Sequence, residues 1–563
     1  MCTHTHTHTH THTHTHTHTR THYISQGLLS LSLSLCGSWS CVLWLNHQWC
    51  KTLSLTHLPT HTCTHTHAFS MVGAVIVLWL SVCLLLWLLM GSRPQGFPPG
   101  PAPLPLIGNL LQLDPQNPLK TLSKLAQRYG PVFSLYIGTR PVVVLNGQQA
   151  LREALVTKAV EFTGRPDHIM ISHMTEGKGV ILADVGPSWR EHRRFALSTL
   201  RNFGLGKRSM EQRILEELTH VCALLEKSAG GSMDPQHLFH HAASNIICSI
   251  IFGSRFDYDD HYFQTLITMM EEINKLAIGP WAMLYDVAPV LRALPLPFRK
   301  VFRYYQRLRE HMQQVITQHQ HQSAAHTHEP RDMIDCYLQE MQKRAGDGSS
   351  FDDSHMESLL IDLFVAGTDT TSNTLRTACL YLMTHTHVQE QCHQEIDAML
   401  GCRECVSFDD RHTMPYVQAV IHESQRVGNV VPLSVFRTAT THTQLHGYTI
   451  PKGTMVIPNL SSVLSEEGQW KFPHEFNPHN FLNEHGEFVK PDAFLPFSAG
   501  SRVCLGESLA RMELFLILVT VLRRFQLVWP DDGGVPDYEL IFGATQSPKP
   551  YRMGVRLRPQ VGN

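Results

Sequence analysis

The sequence has few charged residues and almost no net charge. Asp, Glu, Lys and Arg together make up 17% of its 563 residues, and the formal net charge is -2. This balance gives no overall attraction to nucleic acid or anionic lipid, so any charged docking surface must be local. Hydrophobic residues make up 43%, which is enough for a large buried core and excludes a disordered chain.

Two kinds of motif are missing. No G-x-G-x-x-G sequence follows a predicted strand and no P-loop occurs, so the chain has no recognisable nucleotide-binding site of its own. The 14 cysteines show no framework spacing, and a chain of this length does not need disulfide staples, so we expect reduced thiols. Cys402 and Cys405 form a C-x-x-C pair, but without a second pair an ordinary surface loop is favoured over a zinc site.

The first 70 residues contain no Asp or Glu. Residues 3–18 are an unbroken Thr-His repeat, and residues 1–70 hold 14 of the 38 histidines. Because an alternating ACAC tract is translated as Thr-His, we interpret residues 1–70 as a low-complexity extension that is not part of the native protein. The alternative is a metal-binding tail, since alternate histidines can chelate copper, nickel or zinc.

An apolar run follows immediately. From Met71 to Met90 only Gly73 and Ser81 are not apolar, and 20 residues of helix span about 30 Å, the thickness of one bilayer core. We therefore predict a transmembrane anchor over residues 71–90. Residues 91–105 are rich in proline, which predicts a stiff, extended linker. Residues 106–563 show no repeat and no comparable linker, so we expect one folded body.

Long helical patterns dominate this body, with a few short runs typical of strands. The runs at Val132–Ile137, Pro141–Leu145 and residues 447–457 are predicted strands. Polar segments at 227–234 and 321–332 are predicted loops. The predicted fold class is therefore mainly α with a minor β region.

The strongest motif is F-S-A-G-S-R-V-C-L-G, from Phe497 to Gly506. Gly500 and Gly506 allow tight turns close to a bulky planar ligand, where a Cβ would collide. An amphipathic helix is predicted from residue 505, so Cys504 lies at its N-terminal end, where free amides and the helix dipole favour thiolate over thiol. Arg502 adds a cation suited to an anionic ligand group. For the cysteine alone, a buried structural role would be the simpler interpretation.

A second motif, L-F-V-A-G-T-D-T-T, covers residues 363–371 inside an apolar helical run. Gly, Asp and adjacent threonines are poor choices for the middle of a buried helix, and such a conflict often marks function. Gly367 lets a small ligand approach the backbone, and Thr370 offers a hydroxyl where we expect the helix hydrogen bonds to be loosened. The alternative is an ordinary core helix whose hydroxyls bond to carbonyls.

Two further pairs each share one helix face. Pro415 predicts the first turn of a helix that carries Glu423 and Arg426 three residues apart. Trp189 and Arg193 are four residues apart and also lie on one face. Neither pair is specific alone, because exposed helices often carry such pairs.

The complete F-x-x-G-x-R-x-C-x-G pattern resembles the cytochrome P450 superfamily, and from Met71 to the C-terminus the chain resembles the vertebrate microsomal family 2 enzymes. The resemblance implies a cytochrome P450 fold with an N-terminal transmembrane helix. It also implies haem b (iron protoporphyrin IX), with Cys504 as the axial thiolate ligand of the iron. Thiolate ligation promotes cleavage of the O–O bond of bound oxygen.

The resemblance also assigns other residues. Thr370 and Asp369 would guide protons to dioxygen at the distal face of the haem. Glu423 and Arg426 would form a buried structural pair, completed by Asn480 where arginine or histidine is usual, so we expect a weaker network. The implied haem-binding residues are Phe497, Gly500, Arg502, Gly506, Trp189, Arg193, Arg437, Arg165, Ala366 and Gly367.

The implied reaction inserts one oxygen atom of O2 into a lipophilic substrate, such as a xenobiotic, a steroid or a fatty acid. Because the chain has no nucleotide motif, electrons would come from an NADPH-dependent cytochrome P450 reductase, with cytochrome b5 as a further donor. The implied location is the endoplasmic reticulum membrane, with the catalytic domain in the cytosol. No nucleic-acid partner is expected. Four basic residues could steer an acidic redox partner: Arg190, Arg194, Lys207 and Arg208.

Asp362 has two interpretations. It shares a helix face with Ala366 and Thr370, so its carboxylate could recognise a basic amine. Related enzymes often use an acid at this place to hold neighbouring backbone.

Two other protein classes remain as alternatives. A haem-binding protein without turnover would keep Cys504 and lose the proton relay, and the presence of Asp369 and Thr370 argues against it. A histidine-rich metal-binding membrane protein would depend on residues 1–70.

Overall fold

The computed structural model describes residues 73–82, 85, 93–204, 208–323, 330–403 and 405–559. The chain divides into two compact units, residues 1–85 and 86–563. In the first unit, residues 73–82 are helical and expose apolar side chains such as Val75 and Trp79. Among the described residues, no helix combines the length and hydropathy needed to cross a membrane. The predicted extension at 1–70 and part of the predicted anchor at 71–90 lie outside the described residues.

The second unit is mainly helical. We number its helices in chain order as α1 (Pro118–Tyr129), α2 (Gly147–Arg152), α3 (Met170–Thr175), α4 (Pro187–Gly204), α5 (Arg208–Lys227), α6 (Pro235–Ile251), α7 (His261–Ala277), α8 (Pro280–Val287), α9 (Phe298–Ser323), α10 (Met333–Lys343), α11 (Asp353–Thr384), α12 (Thr386–Leu400), α13 (Pro415–Gly428), α14 (Leu460–Leu464) and α15 (Glu507–Arg524).

The strands of the described residues are short and form four small sheets. They are β1 (Val132–Ile137), β2 (Arg140–Leu145), β3 (Ser232–Met233), β4 (Arg437–Thr438), β5 (Thr443–Leu445), β6 (Tyr448–Ile450), β7 (Met455–Pro458), β8 (Phe525–Val528), β9 (Leu540–Ile541), β10 (Ser547–Pro548) and β11 (Met553–Leu557). The largest sheet has the order β1-β2-β7-β4, in which only the β2–β7 pair is parallel. The other sheets are β3-β11-β8, β5-β6 and β9-β10.

Local signals explain where the key helices begin. The Asp352 side chain accepts a hydrogen bond from the His355 amide and caps the first turn of α11. Pro415 occupies the first position of α13, where its missing N–H costs nothing. Gly506 stands at the N-cap of α15, so this helix begins directly after the cysteine motif.

The main core lies where α6, α11 and α15 pack together with α5 and α9. Its fully buried residues include Ile214 on α5, Leu308 on α9, Leu360 on α11 and Leu516 on α15. A second apolar cluster lies beside the four-stranded sheet, around Leu145. Because α11 crosses the middle of the main core, it is buried along most of its 32 residues.

The predicted class, mainly α with a minor β region, is confirmed, and element boundaries differ by a few residues. The predicted strand at 447–457 is two strands, β6 and β7, because a turn at Gly453, whose φ is +82°, separates them. The predicted loop at 227–234 contains β3, which pairs with β11. The predicted loop at 321–332 begins too early, since α9 continues to Ser323, and residues 324–329 lie outside the described residues.

Candidate active site

The cysteine motif forms a tight loop in front of α15. The Cys504 amide donates to the Phe497 carbonyl at 3.0 Å, which closes the loop. Gly500 has φ +75°, and a Cβ there would overlap the carbonyl oxygen of Leu155, so only glycine fits. A Cβ at Gly506 would contact no protein atom, so the predicted collision at Gly506 is not with the protein itself. Gly506 faces a cavity instead.

The Cys504 sulfur is accessible from this cavity although protein surrounds the residue on its other sides. Burial raises the pKa of the Cys504 thiol, while the amides of Gly506 and Glu507 and the Arg193 guanidinium oppose the rise. The expected influence of the helix start is therefore present, but burial outweighs it.

The cavity encloses about 1500 Å³ not filled by protein atoms, part of it open to solvent. The cysteine loop and the start of α15 form one side, and the middle of α11 lies in the wall as well. Apolar side chains from three further segments complete the wall, among them Val180, Ile181, Val430, Val431, Val435 and Leu460. The lining is therefore mainly apolar around one thiol and a few polar groups.

Four arginines meet at one side of this cavity: Arg165, Arg193, Arg437 and Arg502. Within the described part of the chain, none of their guanidinium groups forms an ion pair with a carboxylate. Burial and the neighbouring arginines lower the pKa of Arg437 to about 10 and that of Arg502 to about 9. The Nε atom of Arg437 is buried without a partner. Such a concentration of positive charge needs an anion.

The four arginines are not equivalent. Arg502 donates to the backbone carbonyls of Thr163, Val180 and Ala183, and its guanidinium stacks 3.9 Å from the Trp189 ring. Arg165 donates to the carbonyls of Ile181, Val435 and Phe436. Arg193 and Arg437 make fewer bonds to the protein and have more free donors.

Trp189 is not in the cavity wall. Its indole N–H donates to the Val180 carbonyl at 3.1 Å, and its ring supports Arg502 from behind. The structure therefore joins Trp189 to the arginine cluster through stacking. Arg193, on the same helix, donates to the Val503 carbonyl at 2.6 Å and so ties α4 to the residue before Cys504.

Ala366, Gly367 and Thr370 lie on α11 in the cavity wall. The Thr370 hydroxyl donates to the Ala366 carbonyl at 2.7 Å. The helix is continuous through this segment, so the expected loosening of its hydrogen bonds is not present. A Cβ on Gly367 would lie 3.0 Å from the Ile247 side chain, which shows that this glycine also permits close packing of α11 on α6.

The Asp369 side chain points in a different direction from that of Thr370. It is buried on the side of α11 that faces α6 and α7, where it forms an ion pair with His240 and accepts a hydrogen bond from Asn274. The two residues named together in the sequence motif therefore lie on different faces of the helix, and only Thr370 lines the cavity.

Asp362 lines the cavity, but its carboxylate already accepts hydrogen bonds from the protein backbone. It accepts hydrogen bonds from the amides of Val180 and Ile181 at 2.6 and 2.9 Å. Burial raises the pKa of Asp362 to about 6, and these amides limit the rise. Asp362 thus connects α11 to the loop that follows α3.

Glu423 and Arg426 form a doubly hydrogen-bonded pair with both distances at 2.7 Å, and both side chains are fully buried. Arg426 also donates to four backbone carbonyls between residues 464 and 475. Asn480 donates to Glu423 at 3.2 Å and accepts from the Phe472 amide. A neutral residue therefore does complete the network.

Two ionisable residues near the site escaped the sequence analysis. Glu513 on α15 lines the cavity and is buried, and it accepts a hydrogen bond from Thr371 at 2.9 Å. His240 on α6 is the partner of Asp369. Glu513 could have been found, since it is an acid between Met512 and the apolar run L-F-L-I-L-V of its helix. No pattern along the chain marked His240, because its partners come from distant helices.

The body is mainly helical, its cysteine loop opens onto a cavity, and a helix that carries threonines lies in the cavity wall. This arrangement matches the cytochrome P450 family. The chain belongs to this family, whose match extends over residues 98–555. This makes the protein a P450 monooxygenase, and it confirms the resemblance inferred from the cysteine motif.

The relatives are similar over nearly their whole length. The chain is 42% identical over 468 residues to cytochrome P450 2F2 of Mus musculus, which covers 82% of this chain and 94% of that protein. It is 42% identical to cytochrome P450 2F1 of Homo sapiens, covering 86% and 99%. It is also 42% identical to cytochrome P450 2D6 of Homo sapiens, covering 85% and 97%. The family 2 resemblance is thereby confirmed.

Family membership implies a haem cofactor, and the residues present fit one. A planar dianion with a metal at its centre needs a sulfur ligand, an anion site at its edge and space along its faces. These three features are supplied by the accessible Cys504 sulfur, by the guanidinium groups of Arg437 and Arg193 in the cavity wall, and by the open space beside Gly506.

Proposed function

We propose that this chain is a membrane-anchored haem-thiolate monooxygenase that oxidises lipophilic substrates with electrons from an NADPH-dependent reductase. The observation that supports it best is the joint position of Cys504, the uncompensated arginines and Thr370 around one apolar cavity. The haem, when bound, supplies the activation of dioxygen. The other steps depend on this chain's own side chains.

Cys504 would hold the iron through its sulfur, and the amides of Gly506 and Glu507 would stabilise the thiolate. Arg437 and Arg193 would hold the propionates, with Arg165 and Arg502 adding positive charge. Phe497, Gly500 and Gly506 would shape the loop around the porphyrin, and Ala366 and Gly367 would leave room on the other face. Trp189 would contribute indirectly, by fixing Arg502.

Thr370 would hold a proton at its hydroxyl next to the reacting oxygen, and Asp369 would serve as the acid behind it. The Thr370 hydroxyl reaches the cavity, whereas the Asp369 carboxylate lies on another face of α11 and contacts His240. The order of events would be delivery of protons from Asp369 through Thr370, which is general acid catalysis by a positioned pair.

The substrate would be a lipophilic molecule, since the free part of the cavity wall is apolar. Xenobiotics, steroids and fatty acids share this chemistry. We propose that Asp362 holds the loop at Val180 and Ile181 and does not select basic amines, because both of its hydrogen-bond contacts are backbone amides. A neutral substrate and its amine analogue should therefore have similar affinities.

Electrons would arrive from cytochrome P450 reductase, with cytochrome b5 as a further donor. The basic residues Arg190 and Arg194 are exposed on α4, the helix whose Arg193 contacts the residue before Cys504. A reductase docked there would lie close to the thiolate side of the haem. Arg208 begins α5, and Lys207 lies outside the described residues.

For the domain organisation, we propose residues 71–90 as the anchor in the endoplasmic reticulum membrane, 91–105 as the linker and 106–563 as the haem-binding catalytic domain. Residues 1–70 would not belong to the native protein. A peptide from upstream of Met71 in protein isolated from its natural source would contradict this last proposal.

The decisive experiment is the spectrum of the reduced, carbon monoxide-bound protein. Thiolate ligation should give the red-shifted Soret band, and Cys504→Ala should abolish it. Cys402→Ala is the matched control, since Cys402 is exposed and lies outside the cavity. A protein without haem, or with haem held through imidazole, would refute the proposal. Product formation with added reductase then separates an active enzyme from a haem sensor.

A further inference from the structure

Behind Asp369 lies a small buried network of charged side chains. His240 on α6 stands between two acids, with Nδ1 at 3.0 Å from Glu271 Oε1 and Nε2 at 3.3 Å from Asp369 Oδ1. The His240 and Asp369 side chains are 6% and 7% exposed, while Glu271 is 23% exposed. The three residues therefore connect the helix behind the cavity with the protein surface.

Neutral side chains donate hydrogen bonds to both acids of this network. Asn274 donates to Asp369 Oδ2, Thr545 donates to the same oxygen at 3.3 Å, and Gln236 donates to Glu271 at 3.1 Å. The contact of His240 with Asp369 is an ion pair without the angle of a formed hydrogen bond. Asp369 is thus fixed by neutral donors on one oxygen and by the charge of His240 on the other.

The groups around His240 come from two neighbouring helices and from its own. Glu271 and Lys275 lie on α7, Asp369 and Arg376 on α11, and Asp234, His237 and His241 at or within the start of α6. Burial by itself would lower the pKa of His240, but the close contacts with the Asp369 and Glu271 carboxylates outweigh burial and raise it to about 9. His240 also helps lower the pKa of Glu271 to about 2.

We propose that His240 is a positioning residue for the oxygenation reaction, whose imidazolium holds the Asp369 carboxylate in place behind Thr370. The inference depends on the proposed role of Asp369 as the acid behind Thr370. Without the charge of His240, one oxygen of the buried Asp369 carboxylate loses its contact, and the carboxylate is no longer held in one orientation. Loss of the charge on His240 should therefore disturb proton supply and leave the haem ligand in place.

The test compares the wild type with His240→Gln and with the matched control His241→Gln. Glutamine is neutral and can hydrogen-bond to both acids, while His241 is buried beside it and stacks on Tyr258 without an ion pair. At pH 7, we expect His240→Gln to release more of the consumed dioxygen as hydrogen peroxide and to form product up to about 10²-fold more slowly, the lower range for a lost acid–base function. The control should behave as the wild type.

The pH dependence of peroxide release distinguishes a positioning role of His240 from a general effect on the stability of the protein. In the wild type, the peroxide fraction should rise as the pH passes about 9, the pKa of His240. His240→Gln should already show the high-pH peroxide fraction at pH 7 and should lack this transition. An unchanged peroxide fraction in His240→Gln, or an equal change in His241→Gln, would overturn the proposal.

A second measurement does not depend on turnover. In the reduced, carbon monoxide-bound protein, which is diamagnetic, the ring signal of His240 should titrate well above its ordinary range, and Asp369→Asn should lower that pKa. A His240 that titrates near 6.5 would refute the inference. If the wild type lacks the red-shifted Soret band, the proposed function fails by itself, and the titration still shows whether His240 and Asp369 are coupled.

Discussion

Burial of the Glu513 carboxyl group should lower the stability of the folded protein at neutral pH, and this can be tested. This carboxyl group is buried on α15, its hydrogen-bond donor is the Thr371 hydroxyl, and it has no ion-pair partner among the described residues. Burial raises the pKa of Glu513 to about 8, and the bond from Thr371 limits the rise. The group is therefore mainly protonated at pH 7 in the folded protein and ionised in the unfolded chain.

The direction in which stability changes with pH follows from which state, folded or unfolded, binds the proton of Glu513 more tightly. Because the folded state binds this proton more tightly, the free energy of unfolding falls as the pH rises from the unfolded pKa near 4.5 to the folded pKa near 8. At pH 7 the loss is on the order of 3 kcal/mol, at 1.36 kcal/mol for each pH unit. Glu513→Gln removes the titration and keeps the acceptor for Thr371, so we expect it to stabilise the protein at pH 7 by up to about this amount.

The assay is the midpoint of urea unfolding between pH 5 and pH 8.5, measured on the haem-loaded protein. The difference between Glu513→Gln and the wild type should be small at pH 5 and should grow steadily with pH. Thr371→Val removes the donor and should destabilise the protein by about 1–3 kcal/mol. A Gln variant that is less stable than the wild type at pH 8, or a difference that does not change with pH, would refute the reasoning.

Three further variants test other parts of the site. Arg426→Ala leaves Glu423 buried without its cation and four carbonyls without a donor, so unfolding in urea should show a loss of about 3–5 kcal/mol; a loss below 1 kcal/mol would contradict a structural role. Arg437→Gln removes a buried cation aimed at the cavity, so haem transfer to an acceptor protein should be about tenfold faster, or roughly 1.4 kcal/mol, and an unchanged rate would exclude Arg437 from the anion site. Asp362→Ala removes the acceptor for two amides, so proteolysis of residues 165–183 should accelerate, while the ratio of KM for an amine substrate to KM for a neutral one should not change; a selective rise for the amine would favour amine recognition instead.

The sequence predicted the relative positions of candidate site residues that lie close together in the chain. Gly500, Cys504 and Gly506 lie within one loop, whose geometry follows from the glycines and from the start of α15. The positions of Thr370 and the Glu423–Arg426 pair follow from helical spacing. In each case the local backbone fixes the relation between side chains.

Sequence reasoning missed contacts between residues that are far apart in the chain. Trp189 was expected at a propionate, but its N–H is taken by Val180 and its ring by Arg502. Thr370 and Asp369 are neighbours in the chain but lie on different faces of α11, because successive residues on a helix are about 100° apart. Only the packing of α6 and α7 on α11 shows that the acid is paired with His240.

The amino-acid sequence by itself determined the family and the mainly helical class, because motif and periodicity are properties of short stretches of chain. The tertiary structure alone decided which arginines keep free donors, that Asp362 accepts from backbone amides, that Glu513 lines the cavity and that His240 contacts Asp369. These depend on burial and on contacts between segments more than 90 residues apart. Desolvation and long-range pairing set the charge of such groups, and neither can be read along the chain.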